Sequence, residues 1–220
     1  MQVSLDVPSL EDALPIAEAA VAAGIDWLEV GTPLILGEGL HAVKALKARW
    51  PEKPVVADLK TMDAGYLECE MMAKAGASHV VVMAVAHEAT VKGAVAAARD
   101  YGIEVMCDVM LCPDKPEAAR RMCSLGVDYI ILHTGFDERG ADPSQSPLND
   151  LAAVCAASRV PVQAVGGLSI EQSIDVVKLA PLLVFGAPVV IDAKALKPAA
   201  DIPELTRRMR EIVRRVGEVA

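Results

Sequence analysis

Short apolar runs and Ala-rich stretches of helical periodicity alternate along the whole chain. Four times the helical pattern stops at a glycine and an apolar or β-branched run begins. Ala23-Gly24-Ile25-Asp26 leads into Trp27-Leu28-Glu29-Val30, and Ala75-Gly76-Ala77-Ser78 into His79-Val80-Val81-Val82. Tyr101-Gly102-Ile103 leads into Glu104-Val105-Met106, and Leu125-Gly126-Val127-Asp128 into Tyr129-Ile130-Ile131-Leu132. Glycine is the preferred left-handed helix cap, so each junction reads as a helix end followed by a strand. The unit recurs roughly every 25 residues, the length of one strand plus one helix.

The pattern predicts strands at 2–7, 25–31, 54–59, 78–83, 103–109, 127–132, 160–165 and 182–186. Helices are expected at 9–23, 37–49, 63–75, 88–101, 114–125, 147–158, 169–179 and 201–216. Strands that alternate with helices pair in parallel. Eight such units in 220 residues predict an α/β fold, a single-domain (β/α)8 TIM barrel spanning 1–220. An open doubly wound sheet is the alternative, and it is disfavoured because no strand carries a GxGxxG turn. The least regular stretches are 134–147 and 187–200; the first, with Gly135, Gly140, Pro143 and Pro147, reads as a mobile loop.

Composition narrows the partners. Hydrophobic residues make up 53% of the chain but aromatics only 3%, so the core is aliphatic and suits close packing of helices on strands. A formal net charge of −9 disfavours nucleic acid and anionic membranes as partners. An anionic ligand must therefore be held by local features. The cysteines number five, an odd count without CxxC spacing, which predicts reduced thiols in a cytoplasmic protein. No basic segment followed by an apolar one opens the chain, so no signal peptide is expected. No apolar run reaches the ~20 residues of a membrane helix.

Candidate chemistry gathers at the strand ends, where barrels of this kind build their sites. The apolar run Pro54-Val55-Val56-Ala57 ends in Asp58-Leu59-Lys60-Thr61-Met62-Asp63. Side chains alternate along a strand, so Asp58 and Lys60 project to one face, either as a structural ion pair or as working groups. Strand one ends in Asp6, which also fits a turn before Pro8 and Ser9, and strand two in Glu29-Val30-Gly31-Thr32-Pro33. Strand five contains Asp108 and strand six ends in His133. Glu29 and Asp58, on neighbouring strands, offer two hard oxygen ligands suited to Mg²⁺, unless Lys60 neutralises one of them. His133 is either a hydrogen-bonded core residue or a general acid or base. His87 precedes a helix and reads as a surface or cap residue. Gly166-Gly167, before the helix start at Leu168-Ser169, offers bare backbone N–H groups to a phosphate, with Gly186 supplying the other half.

With these residues assembled, the chain resembles the orotidine monophosphate decarboxylase superfamily, whose signature is Asp-x-Lys-x-x-Asp at strand three. Within it the chain is most similar to the 3-hexulose-6-phosphate synthase and 3-keto-L-gulonate-6-phosphate decarboxylase family. The matching segments are Glu29-Val30-Gly31-Thr32-Pro33, Ala57 to Gly65, His133-Thr134-Gly135-Phe136-Asp137 and Val165-Gly166-Gly167. The resemblance implies a cytoplasmic Mg²⁺-dependent enzyme, Mn²⁺ being the alternative ion, that acts on a ketose phosphate through an enediolate. It implies Glu29 and Asp58 as metal ligands, Lys60 at the enediolate oxygens and His133 as proton carrier. Asp63 would reach into the neighbouring subunit's site, making a homodimer with sites at the interface. Asp6, Thr32, Gly166, Gly167, Gly186 and Ala187 would contact the substrate or its phosphate.

The decarboxylases usually carry His-Arg-Ser-Arg-Asp at strand six, and here Phe136 replaces the second Arg. The synthases carry His-Thr-Gly, as this chain does. The implied reaction is therefore the addition of formaldehyde to D-ribulose 5-phosphate, giving D-arabino-3-hexulose 6-phosphate, and its reverse. The decarboxylase or another enediolate enzyme is the first alternative, and a non-enzymatic sugar-phosphate binding protein the second. The chain departs from the family after strand eight, where Phe185-Gly186-Ala187-Pro188 stands in place of Gly-Gly/Ser-Ala or Ala-Gly-Arg.

Overall fold

The glycine junctions act as the repeat requires. Gly24, Gly76, Gly102 and Gly126 each cap a helix in the left-handed conformation, and a strand follows within a few residues. The computed structural model describes residues 1–180, 182–186 and 202–218. Its strands are β1 Gln2–Leu5, β2 Trp27–Val30, β3 Val55–Thr61, β4 His79–Met83, β5 Glu104–Asp108, β6 Tyr129–His133, β7 Val162–Val165 and β8 Leu182–Gly186. They pair in parallel in sequence order, and β8 returns to β1, so the sheet closes into a barrel. This is a (β/α)8-like arrangement.

The helices are α1 Leu10–Ala23, α2 Thr32–Glu38, α3 Leu40–Arg49, α4 Gly65–Ala75, α5 Glu88–Tyr101, α6 Lys115–Leu125, α7 Phe136–Ala141, α8 Leu151–Ala157, α9 Ile170–Val177 and α10 Ile202–Gly217. Three expectations need correction. The helix expected at 37–49 is two helices, because the chain turns at Gly39 with φ of 60°. The helix expected at 147–158 is a 3-10 turn, Pro147–Asn149, followed by α8. The stretch expected as a loop at 134–147 holds α7; Gly135 stands at its N-cap and Glu138 Oε2 accepts from Gly135 N at 3.2 Å. Ser9, Asp114 and Ser169 cap α1, α6 and α9 by accepting amide hydrogens of the first turn. His87, expected as a cap residue, caps α5 through Nδ1.

Two apolar layers hold the barrel. Outward-facing strand residues such as Leu5, Leu28, Ala57, Val82 and Leu132 pack under the Ala-rich faces of the helices. Inside, Val56, Val81, Met106 and Ile131 form a small plug. Below the plug, Trp27 stacks on His79 at 4.4 Å, and Tyr129 meets both rings edge-on. This bottom seal leaves the opposite end, where the strands terminate, to carry polar groups. Among the described residues the cysteines are unpaired, Cys69 and Cys107 being buried and the others half-buried. No described helix is long and apolar enough to cross a membrane.

Burial pulls the His79 imidazole below its ordinary range of 6.5, outweighing the opposing pull of Glu104 at 2.9 Å. The folded state thus binds fewer protons than the unfolded chain once the pH drops below about 6.5, and stability is lost in that direction. Thermal melts between about pH 7.5 and 5 should show this loss, and His79→Phe, which retains the ring stack, should flatten it. Identical acid limbs for both proteins would remove His79 as the cause.

Candidate active site

Strand β3 sets the geometry of the open end. Val56 faces the barrel interior, so alternation carries Asp58 to the same side, one step nearer the mouth. Plain alternation then fails. The register with β4 shifts between Ala57 and Thr61, and Lys60 adopts a left-handed φ of 52°. That conformation costs a residue with a Cβ roughly 1–2 kcal/mol. Lys60 Nζ donates to Asp58 Oδ2 and lies 3.3 Å from Thr32 Oγ1. The expected Asp58–Lys60 pair is present, aimed by a bulge that the sequence pattern did not show. The Thr32 hydroxyl stands 3.0 Å from both the Asp58 carbonyl and Oδ2, so it braces the pair.

Glu29 enters from β2 and is 7% exposed. Gln2 Nε2 donates to Glu29 Oε2, and Gln163 Nε2 in turn donates to Gln2 Oε1 at 2.8 Å. Burial first, then the nearby charges of Asp58 and Asp6, push the Glu29 carboxyl well above its usual range. On the far side, Asp108 Oδ2 lies 2.9 Å from His133 Nδ1, and Asp108 Oδ1 accepts from Met110 N at 2.8 Å. Asp108 is 1% exposed. A buried carboxylate so placed fixes the imidazole's orientation.

Glu29, Asp58, Lys60, Asp108 and His133 line one pocket of about 260 Å³, its open mouth included. Gln2, Gln163, Val81, Ile131 and Val165 complete the wall and floor. Burial opposes the charge on Lys60, but Asp58, with Asp108 and Glu29 adding to it, holds its pKa above the ordinary lysine value. Asp58 Oδ1 is buried without a hydrogen-bond partner. Among the described residues no three His, Cys, Asp or Glu side chains gather into a ready metal cage. A cation here would therefore rest on two carboxylates plus solvent or substrate oxygens, the manner of Mg²⁺.

The remaining expected residues take several places. Asp6 accepts from Ser4 Oγ at 3.0 Å and packs over Gly31, where a Cβ would fall 2.2 Å from Asp6 Oδ1. It stands beside the pocket, and burial raises its pKa. Asp63 lies outside the pocket of its own chain, exposed, with Oδ1 accepting from Ala64 N at 2.8 Å. Gly166 and Gly167 follow β7 with φ of 124° and 64°. A side chain at Gly166 would meet the Thr134 backbone, and one at Gly167 the guanidinium of Arg139. The helix start beyond them is less bare than expected. Ser169 and Gln172 cap each other, occupying the amides of both. Gly186 pairs with Ser4 at the end of β8. Ala187 and Pro188 lie outside the described residues.

Asp108 was legible as one of the strand-end acids but without a role of its own, and Gln2 and Gln163 were not singled out. Their signal was a polar residue inside an otherwise apolar strand, facing the same way as plug residues such as Met106.

Residues 1–147 match the model of the orotidine 5′-phosphate decarboxylase / HUMPS family. The chain belongs to that family. Among curated relatives of this family member, 3-hexulose-6-phosphate synthase of Mycobacterium gastri is 38% identical over 213 residues, 97% of this chain and 99% of the relative. A crystal structure of 3-hexulose-6-phosphate synthase superposes with a TM-score of 0.85 at 36% identity, covering 96% of this chain and 98% of that one. The crystal structure of 3-keto-L-gulonate-6-phosphate decarboxylase from Vibrio cholerae gives 0.77 at 26% identity, covering 95% of this chain and 97% of that one. The HUMPS-family chain falls with the 3-hexulose-6-phosphate synthases and is an enzyme of the carbon–carbon lyase class.

Asp108→Asn should keep the pocket's shape but lose the charge facing His133. Turnover should fall by about two orders of magnitude with little change in melting temperature. Full activity in this variant would leave Asp108 a structural residue only.

Proposed function

We propose that the chain is an aldolase-type lyase that joins formaldehyde to C1 of D-ribulose 5-phosphate and catalyses the reverse cleavage. The observation that carries this reading is a carboxylate-oriented histidine and a carboxylate-paired ammonium facing one pocket. His133 removes a proton from C1, and Asp108 stabilises the imidazolium that results. The electron pair then spreads from C1 onto the C2 oxygen, giving the enediolate, and the Lys60 ammonium donates to that oxygen. The C1 electron pair forms the new bond to the formaldehyde carbon. The C2 carbonyl re-forms, and the formaldehyde π pair moves to its oxygen, which takes the proton held by His133 and becomes the terminal hydroxyl of D-arabino-3-hexulose 6-phosphate.

Glu29 and Asp58 would hold Mg²⁺, or Mn²⁺ in its place. The unpartnered Asp58 Oδ1 and the crowding that raises Glu29 are both relieved by a divalent cation. When bound, such an ion supplies Lewis-acid stabilisation of the developing negative charge. Gly166, Gly167 and Gly186, with Ala187, would receive the phosphate, and Asp6 and Thr32 border the sugar. Asp63 would serve the pocket of a second copy. In support, it is exposed beside Met62, and Tyr66, Leu67 and Met71 on the adjoining helix are 41%, 54% and 41% exposed, an apolar face suited to a homodimer. The decarboxylase reading is less favoured, because Phe136 has no donor to offer at the position where that chemistry uses an arginine.

The test is exchange of C1 protons. Incubated with D-ribulose 5-phosphate and Mg²⁺ in D₂O without formaldehyde, the protein should lose C1 proton signal. Lys60→Ala and His133→Ala should each slow this by at least about 10²-fold. Release of CO₂ from a β-keto acid sugar phosphate, without formaldehyde-dependent consumption of D-ribulose 5-phosphate, would favour the decarboxylase instead. Removal of metal by a chelator should abolish exchange, and Mg²⁺ should raise the melting temperature of the wild type but not of Glu29→Gln.

A further inference from the structure

Most arginines of this acidic chain answer a carboxylate. Arg49 pairs with Glu18, Arg99 with Asp128, Arg120 with Glu117 and Arg215 with Glu171. Arg139, on α7 at the barrel mouth, does not. Its Nε donates to the Gly135 carbonyl at 3.3 Å, and its guanidinium lies 5.9 Å from the centre of the Phe136 ring. It forms no ion pair among the described residues. It is half-buried, and burial pulls its pKa below the usual value without a neighbouring acid to restore it. Leaving a partly desolvated guanidinium unpaired is unfavourable.

The position of this group gives it a purpose. A Cβ on Gly167 would fall 2.0 Å from Arg139 Nη1 and 3.0 Å from Cζ, so the Arg139 side chain occupies the space beside the glycine that follows β7. Gly166, the neighbour, packs on the Thr134 backbone, and Thr134 Oγ1 is buried there without a hydrogen-bond partner. His133 and Val165, the residues just before these, line the pocket. Among the described residues that line the pocket, Lys60 is the only lysine or arginine, and it is paired with Asp58. Gly186 to Ala193 contains no Lys or Arg, and Pro188 has no N–H to donate.

We propose that Arg139 is the cationic grip for the substrate's phosphate, reaching across from α7 to the Gly166–Gly167 turn. The proposal rests on the sugar-phosphate reading above and adds the residue that selects the dianion. A planar guanidinium with free N–H donors matches two phosphate oxygens at once. The face of Phe136 lies within cation–π range of it. Arg139 touches the end of the substrate remote from C1, so its contribution is to binding.

Steady-state kinetics with D-ribulose 5-phosphate and formaldehyde, together with calorimetric titration by inorganic phosphate, test this. Arg139→Ala should raise KM for D-ribulose 5-phosphate at least about tenfold while kcat changes less than about threefold. It should also abolish phosphate binding, and Arg139→Lys should recover part of both losses, the bidentate geometry being gone. An unchanged KM and phosphate affinity in Arg139→Ala would overturn the proposal. So would a fall in kcat at constant KM that Lys does not relieve, since that pattern marks a structural role. Absence of turnover by the wild type would defeat the reading of the reaction. Phosphate titration of wild type and variant would then decide Arg139 alone, with retained binding in Arg139→Ala refuting it.

Discussion

Three carboxylates buried at one end of a closed barrel dominate the energetics of this molecule. Glu29, Asp58 and Asp108 are 7%, 6% and 1% exposed, and they share a pocket with one ammonium and one imidazole. Charges removed from water are unfavourable unless partners compensate them, and like charges at short range add to the cost. Lys60 and His133 compensate two of the three. Glu29 is left with a neutral glutamine and a raised pKa. The remainder of the barrel must supply the stability that this end consumes. It does so with an aliphatic interior plug, a stacked aromatic base and Ala-rich helices drawn close to the strands.

Much of this arrangement was legible in the residues. Glycine caps marked the repeating units, and charged residues at the ends of apolar strands marked the open face. What escaped was of three kinds. The first is backbone conformation at residues that do not advertise it. Lys60, Ala64 and Leu111 carry positive φ without being glycine, and the first of these re-aims the lysine. The second is neutral polarity. Gln2 and Gln163 have no charge to draw attention, yet they fix Glu29 from below. The third is short helices among breakers. Gly135, Gly140 and Pro143 argue for a loop, but α7 runs through Gly140 and ends before Pro143 once Gly135 takes the cap position.

The pocket divides by origin. The acids, the lysine and the histidine come from β2 to β6, within the segment matched by the family model. The far wall, from Gln163 to the glycine pair, comes from β7 and the turn after it. Fold alone does not choose among the chemistries it hosts; the side chains at the mouth do.

The bond between Gln163 and Gln2 spans 161 residues of sequence and ties the first strand to the seventh. Its contribution to the pocket is indirect, since it orders the amide that Glu29 leans on. During synthesis β2 emerges early, but the amide clamp beneath it is complete only after β7 has docked. The acidic pocket therefore cannot take its final form on a partial chain. Closure of the barrel and readiness of the site become a single event, and a premature fragment ending before β7 would carry its carboxylates without the scaffold that directs them.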